Sequence, residues 1–212
     1  MTQKFDSLIF DMDGTLWDAV DSYCKIWNVT FEQMGLSQTV SRQELLECMG
    51  KPINEIFKKI VTEDVDENQY LALLDKNESK LMPILGGELY NGVAEGIKLL
   101  SSRYKLFMVS NCGADGLKNF LKFTKLEPYF LDTLAYGENN LPKSENIKLI
   151  VSRNNLSKPA YVGDTQGDCN AAHTAGVPMI FAQYGFGECE DAEYKIDSFP
   201  QLFDVLYNQY KL

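Results

Sequence analysis

The chain has a single histidine and only five cysteines, Cys24, Cys48, Cys112, Cys169 and Cys189, which form no CxxC pair. An odd, scattered set supports neither a disulfide framework nor a zinc site, and a reducing cytoplasm is the expected setting. Positive charge is also scarce: 20 Lys and Arg against 30 Asp and Glu give a formal net charge of −10. That balance argues against nucleic acid and against anionic membranes as partners, because both call for a basic surface. No apolar run approaches the ~20 residues of a membrane span. The short run at residues 8–10 ends at an aspartate, unlike a signal peptide. Internal repeats, low-complexity stretches and long like-charge blocks are missing too, which removes disorder as a reading. His173 lies among Ala171, Ala172 and Ala175 in a predicted helix and reads as a packing or surface residue.

What is present is 212 residues, 45% of them hydrophobic, enough for one large domain or one domain carrying a smaller insert. Apolar runs bounded by turn residues at 8–10, 105–109, 133–136, 160–162 and 178–181 predict buried strands. Helical spacing fills 93–102, 116–123, 145–153 and 168–175, with a last helix over 199–210. Strand alternating with helix predicts an α/β fold with a doubly wound parallel sheet. Residues 17–83 break this rhythm, since no βα connection should be so long. There Val20, Cys24, Trp27, Phe31 and Met34 recur at helical spacing up to Gly35, and further helices are predicted at 42–48, 53–60 and 67–80. The expected organisation is therefore an α/β core, 1–16 and 84–212, with an inserted all-helical unit over 17–83 hinged near 17–18 and 83–87.

Chemistry concentrates at predicted strand ends, where open α/β sheets bind ligands. Asp11-Met12-Asp13-Gly14-Thr15 follows the first strand. Of its two carboxylates one can attack phosphorus, while the other handles the leaving-group proton. Taken alone, this stretch also reads as an Asp-rich turn. Gly163-Asp164-Thr165-Gln166-Gly167-Asp168 follows the 160–162 strand, and oxygen ligands from two strand ends suit Mg²⁺. If those strands are neighbours, Asp11, Asp13 and Asp164 converge on one ion, with Asp168 orienting or bridging through water. Asp168 reads equally as the N-cap of the following helix. Ser110 and Asn111 close the 105–109 strand, and Lys143 follows Pro142. A hydroxyl, neighbouring N–H groups and an ammonium can hold phosphoryl oxygens. Taken singly, such a serine is turn chemistry and such a lysine is a solvated surface group.

In this order, DxDGT, Ser, Lys and GDxxxD resemble the haloacid dehalogenase superfamily of phosphohydrolases over nearly the whole chain. The insert looks like that family's helical C1 cap, and the closer likeness is to phosphoglycolate phosphatase-like members. The resemblance implies a phosphoric monoester hydrolase in which Asp11 forms a phosphoaspartate and Asp13 serves as acid and then base. It implies Mg²⁺ on Asp11, Asp164 and the Asp13 carbonyl, and a phosphoryl group held by Ser110, Asn111, Lys143 and Thr15. The expected partner is a small phosphorylated metabolite such as phosphoglycolate, a nucleotide, a sugar phosphate or pyrophosphate. Trp17 and Ala19 depart from the small apolar residue and serine of many relatives, which bears on cap closure. Lys51, in Gly50-Lys51-Pro52, falls where relatives present a substrate-facing loop and is a candidate leaving-group contact, or else a surface lysine. A phosphosugar mutase would share this core, as would a non-catalytic binding protein. A dehalogenase would lack Asp13 and Asp164, and a phosphonate hydrolase would need Lys51 as a Schiff base.

Overall fold

The computed structural model describes residues 4–207. In chain order its elements are β1 (Ser7–Phe10), β2 (Trp17–Asp18), α1 (Val20–Gln33), α2 (Arg42–Leu46), α3 (Ile53–Ile60), α4 (Glu67–Leu85) and β3 (Glu88–Leu89). There follow α5 (Val93–Ser101), β4 (Lys105–Ser110), α6 (Gly116–Thr124), β5 (Asp132–Ala135), α7 (Tyr136–Asn139) and α8 (Lys143–Arg153). The chain continues through β6 (Pro159–Gly163), α9 (Gln166–Thr174), β7 (Met179–Ala182), β8 (Tyr194–Ile196) and α10 (Leu202–Tyr207). Among the described residues no helix is long and apolar enough to cross a membrane.

Six strands form one parallel sheet in the order β5-β4-β1-β6-β7-β8. The strand order reverses around β1, so the ends of β1, β4 and β6 meet at the switch point where such sheets bind ligands. Phe10 stands opposite Met108 on one side and Val162 on the other. Both faces are covered, which is why these strands read as unbroken apolar runs rather than alternating ones. Leu8 and Phe10 pack with α5, α6 and α10 on one face, whereas Ile9 packs with Ile147 and Ile150 of α8 and Cys169 of α9 on the other.

Helices α1 to α4 occupy the segment that breaks the βα rhythm. Trp27, Phe31, Phe57 and Tyr70 bring their rings together there. The two chain crossings to this segment pair as an antiparallel ribbon, Trp17 with Leu89 and Asp18 with Glu88. Helix α4 runs beyond its expected end at 80, through Pro83, and stops at Gly86, whose φ is +60°. Pro83 lies in the last turn, where the one hydrogen bond it forfeits is tolerable. The edge strand β8 was not expected, because three residues carrying a central lysine give no apolar run. The final helix begins later than predicted, a 3₁₀ turn at Phe199–Gln201 leading into α10. The predicted residues 208–210 lie outside the described chain.

Candidate active site

Asp11 leaves the end of β1 with its N–H donating to Val162 of β6 at 2.9 Å, and it is 2% exposed. The chain then turns back on itself, Leu16 N–H donating to Met12 at 2.9 Å. Gly14 takes φ +81° in this turn, and a Cβ there would sit 2.0 Å from Asp164 Oδ2. Only glycine permits both the left-handed backbone and so close an approach of the first acidic motif to the second.

Asp164 is fully buried. Its Oδ1 accepts the Thr15 hydroxyl at 2.9 Å, and its Oδ2 accepts the Phe186 N–H at 2.9 Å. Asp168 lies one helical turn later. Its Oδ2 accepts the Thr165 N–H at 3.0 Å and the Thr165 hydroxyl at 2.8 Å. Thr165, not Asp168, is thus the N-cap of α9, and Asp168 is the reciprocal third residue of a capping box. The other Asp168 oxygen accepts the Lys143 ammonium at 2.6 Å, and Asp11 Oδ1 lies 3.1 Å from the same nitrogen. Lys143 is 7% exposed and opens α8. A cation at the positive end of a helix is unfavourable unless paired. Burial would strip its proton, but Asp11 and Asp168 outweigh that and hold the ammonium above its ordinary range.

Asp11, Asp164 and Asp168 each offer an oxygen within 4.8 Å of the others. Three buried carboxylates around one ammonium leave the site about two positive charges short of neutrality. Burial pushes Asp11 up to about 6 against the pull of Lys143, with Asp168 adding to the rise. Asp164 goes up for the same reasons, burial first and then Asp168 and Asp11. Asp11 Oδ1 is buried and accepts no well-directed hydrogen bond. An all-oxygen donor set with excess negative charge fits a hard divalent cation such as Mg²⁺.

The Asp13 carboxylate is not part of this cluster. Its Oδ1 accepts the Trp17 indole N–H at 2.9 Å and its Oδ2 the Tyr23 hydroxyl at 3.3 Å. Burial and the neighbouring Asp11 push it up to about 7, with both donors pulling the other way. Two of the residues expected at the phosphoryl group have their side chains engaged elsewhere. Thr15 is fully buried with its hydroxyl committed to Asp164, and the Asn111 amide donates to the Gly50 carbonyl at 2.8 Å. Ser110 fits its expected position, at the end of β4 and on the wall of a cavity of about 140 Å³ that Asp11, Asp13 and Lys143 also line. Lys51 lines the same cavity and is exposed. The sequence reading missed Tyr23 and Trp17 as partners of Asp13, and Asp75 and Glu78 of α4 as cavity residues. The signal for Tyr23 was its helical register with Trp27. Elsewhere, Cys169, Cys189 and Asp191 come within 4.8 Å of one another as free thiols and a carboxylate, a grouping that a spacing of twenty residues conceals. His173 lies partly exposed between Asp191 and Glu193, in keeping with a surface role.

Known proteins resemble this chain in sequence and in fold. A pyrophosphatase PpaX of Listeria monocytogenes is 31% identical over 82% of each chain. A phosphoglycolate phosphatase of Nitrosospira multiformis is 24% identical over 94% of this chain and 93% of its own. The solved structure of a haloacid dehalogenase-like family hydrolase from Streptococcus pneumoniae superposes with a TM-score of 0.84 at 18% identity, covering 95% of this chain and 98% of that one. Since the family model described as haloacid dehalogenase-like hydrolase also matches residues 8–182, carrying both acidic motifs, Ser110 and Lys143, the chain belongs to that family.

Proposed function

We propose that the protein hydrolyses a small phosphate monoester in two steps through a phosphoaspartate on Asp11. In the first step an Asp11 oxygen attacks phosphorus, the ester P–O bond breaks, and Asp13 gives its proton to the departing alkoxide. In the second, Asp13 takes a proton from water, the water oxygen attacks phosphorus, and the acyl phosphate opens to inorganic phosphate and free Asp11. A carboxyl near pH 7 suits both duties, since it can be protonated for the first step and is basic enough for the second. Ser110 and Lys143 hold the phosphoryl group, and Lys143 keeps Asp11 ionised and aimed.

Mg²⁺ is the expected cofactor. Asp11 and Asp164 would hold it, with Asp168 beside them and the Asp13 carbonyl as the family resemblance implies. When bound it supplies positive charge that offsets repulsion between the carboxylate and a phosphate dianion. Helices α1 to α4, which fill the 17–83 insert and run on to Leu85, act as a cap over the cavity and exclude water from the acyl phosphate. Lys51 enters from this cap and is a candidate contact for the substrate. The names of the relatives bring pyrophosphate and phosphoglycolate into consideration, beside nucleotides and sugar phosphates.

The observation that carries this reading is the convergence of Asp11, Lys143, Asp164 and Asp168 on one another, with Asp11 and Lys143 lining the cavity. The test is Mg²⁺-dependent phosphate release from p-nitrophenyl phosphate. Asp11→Asn is expected to abolish release while leaving the circular dichroism spectrum unchanged. Substantial residual turnover in that variant would refute Asp11 as the nucleophile.

A further inference from the structure

Besides Asp11 and Asp13 of the core, the cap presents two acids of its own to the same cavity. Asp75 and Glu78, three residues apart on one face of α4, both line it. A side chain at Gly113, in the loop that follows Ser110, would begin 3.7 Å from Asp75 Oδ1 and 3.8 Å from Glu78 Oε2. The two carboxylates therefore lie together beside the loop that follows Ser110, Glu78 half-buried and Asp75 exposed, on the cavity that Ser110 also lines. Among the described residues neither has an ion-pair partner. Burial, with Asp75 and Asp13 adding to it, pushes the Glu78 carboxyl up to about 8, as expected of an acid that lacks a cation. Tyr23 and Trp27, one turn apart on α1, also line this cavity, Trp27 from a buried position.

Carboxylates and aromatic faces together are the chemistry that binds ammonium ions. They are a poor setting for a second negative charge. Lys51 is the one cap lysine on the cavity. It follows Gly50, whose carbonyl accepts the Asn111 amide and whose Cα faces Thr165, so its backbone stands on the Asn111 side of the cavity.

We propose that the alcohol released by this enzyme carries an ammonium group, primary or quaternary, received by Asp75 and Glu78 beside the rings of Tyr23 and Trp27. The inference rests on the hydrolase reading above and narrows its substrate class. It sets this chain apart from relatives named for pyrophosphate and phosphoglycolate, whose leaving groups are anions.

The test is steady-state kinetics with Mg²⁺ on phosphocholine, phosphoethanolamine, the uncharged isostere 3,3-dimethylbutyl phosphate, phosphoglycolate and p-nitrophenyl phosphate. The wild type is expected to favour an ammonium ester over its uncharged isostere and over phosphoglycolate by roughly tenfold or more in kcat/KM. In Glu78→Gln, and independently in Asp75→Asn, that ratio should fall several-fold, carried mainly by KM. Turnover of p-nitrophenyl phosphate with phosphoglycolate preferred, or a ratio unchanged in both variants, overturns this inference and leaves the hydrolase reading standing. Absence of Mg²⁺-dependent turnover on every ester overturns both.

Discussion

Asp11 and Asp13 share one short turn, and their surroundings assign them opposite work. Asp11 faces an ammonium 3.1 Å away that favours its ionised, nucleophilic form. Asp13 faces two neutral donors, Trp17 and Tyr23, in a buried setting that lifts it to about 7. Hydrogen bonds to a carboxylate favour its charged form, so deleting either donor must raise the Asp13 value further. As an acid, Asp13 supports turnover below its pKa and loses that ability as pH rises through it. Trp17→Phe and Tyr23→Phe are each expected to move the alkaline limb of kcat/KM on an alkyl phosphate upward from its position near pH 7. The limb should be weak with p-nitrophenyl phosphate, whose leaving group needs little protonation. A downward shift in the pH profile of either variant would show that Asp13 is not the acid. The two acidic motifs and Lys143 were legible from the sequence because each is a local pattern of charged residues at a strand end. The side-chain partners of Thr15 and Asn111 were not legible because they are distant, Asp164 being 149 residues from Thr15 and Gly50 being 61 from Asn111. No local pattern carries that information.

At the scale of elements, the buried strands and their helices were readable because two covered faces impose apolar runs and helical spacing. The ribbon of β2 and β3 was not, since two residues on each side have no periodicity to detect. Where one element meets the next, single ion pairs fix the join. Arg153, the last residue of α8, donates to Asp132 at the start of β5 through Nε and Nη2, both at 2.6 Å, and Asn154 adds a third bond at 2.7 Å. Partial burial raises the Asp132 value, but Arg153 and Asn154 outweigh it and hold the carboxyl below its ordinary 3.8. Because the folded value lies below the unfolded one, the stabilisation is fully present above pH ~4 and fades as pH falls through the folded value. Both partners are partly exposed, so a paired-fork geometry here is worth about 1 kcal/mol. Asp132→Asn is expected to lower the unfolding free energy by about that amount at pH 7 and by almost nothing near pH 2. Urea titrations at the two pH values check this, and an equal loss at both would assign the effect to packing.

For the whole molecule, the two acidic surfaces, one on the core and one on α4, become a single site only when the helical segment rests on the sheet. Besides the β2–β3 ribbon, the hydrogen bonds that join them include Asn111 to the Gly50 carbonyl at 2.8 Å and Ser79 to Asp115 at 3.3 Å. The first stands next to Ser110, so the helical segment meets the sheet beside the proposed phosphoryl site. A neutral hydrogen bond of this kind contributes about 1 kcal/mol, which shifts a closure equilibrium roughly fivefold. Asn111→Ala is therefore expected to raise KM for a small ester about fivefold while changing kcat by less than twofold, because the acids and Lys143 stay in place once the cap closes. The sequence alone placed Asn111 on the phosphoryl oxygens, and that role predicts a different result. Losing a donor to the transition state would lower kcat tenfold or more. The split between KM and kcat in this one variant separates a latch from a phosphate ligand. If kcat carries the loss, the bond to Gly50 belongs to a resting arrangement that the substrate must break.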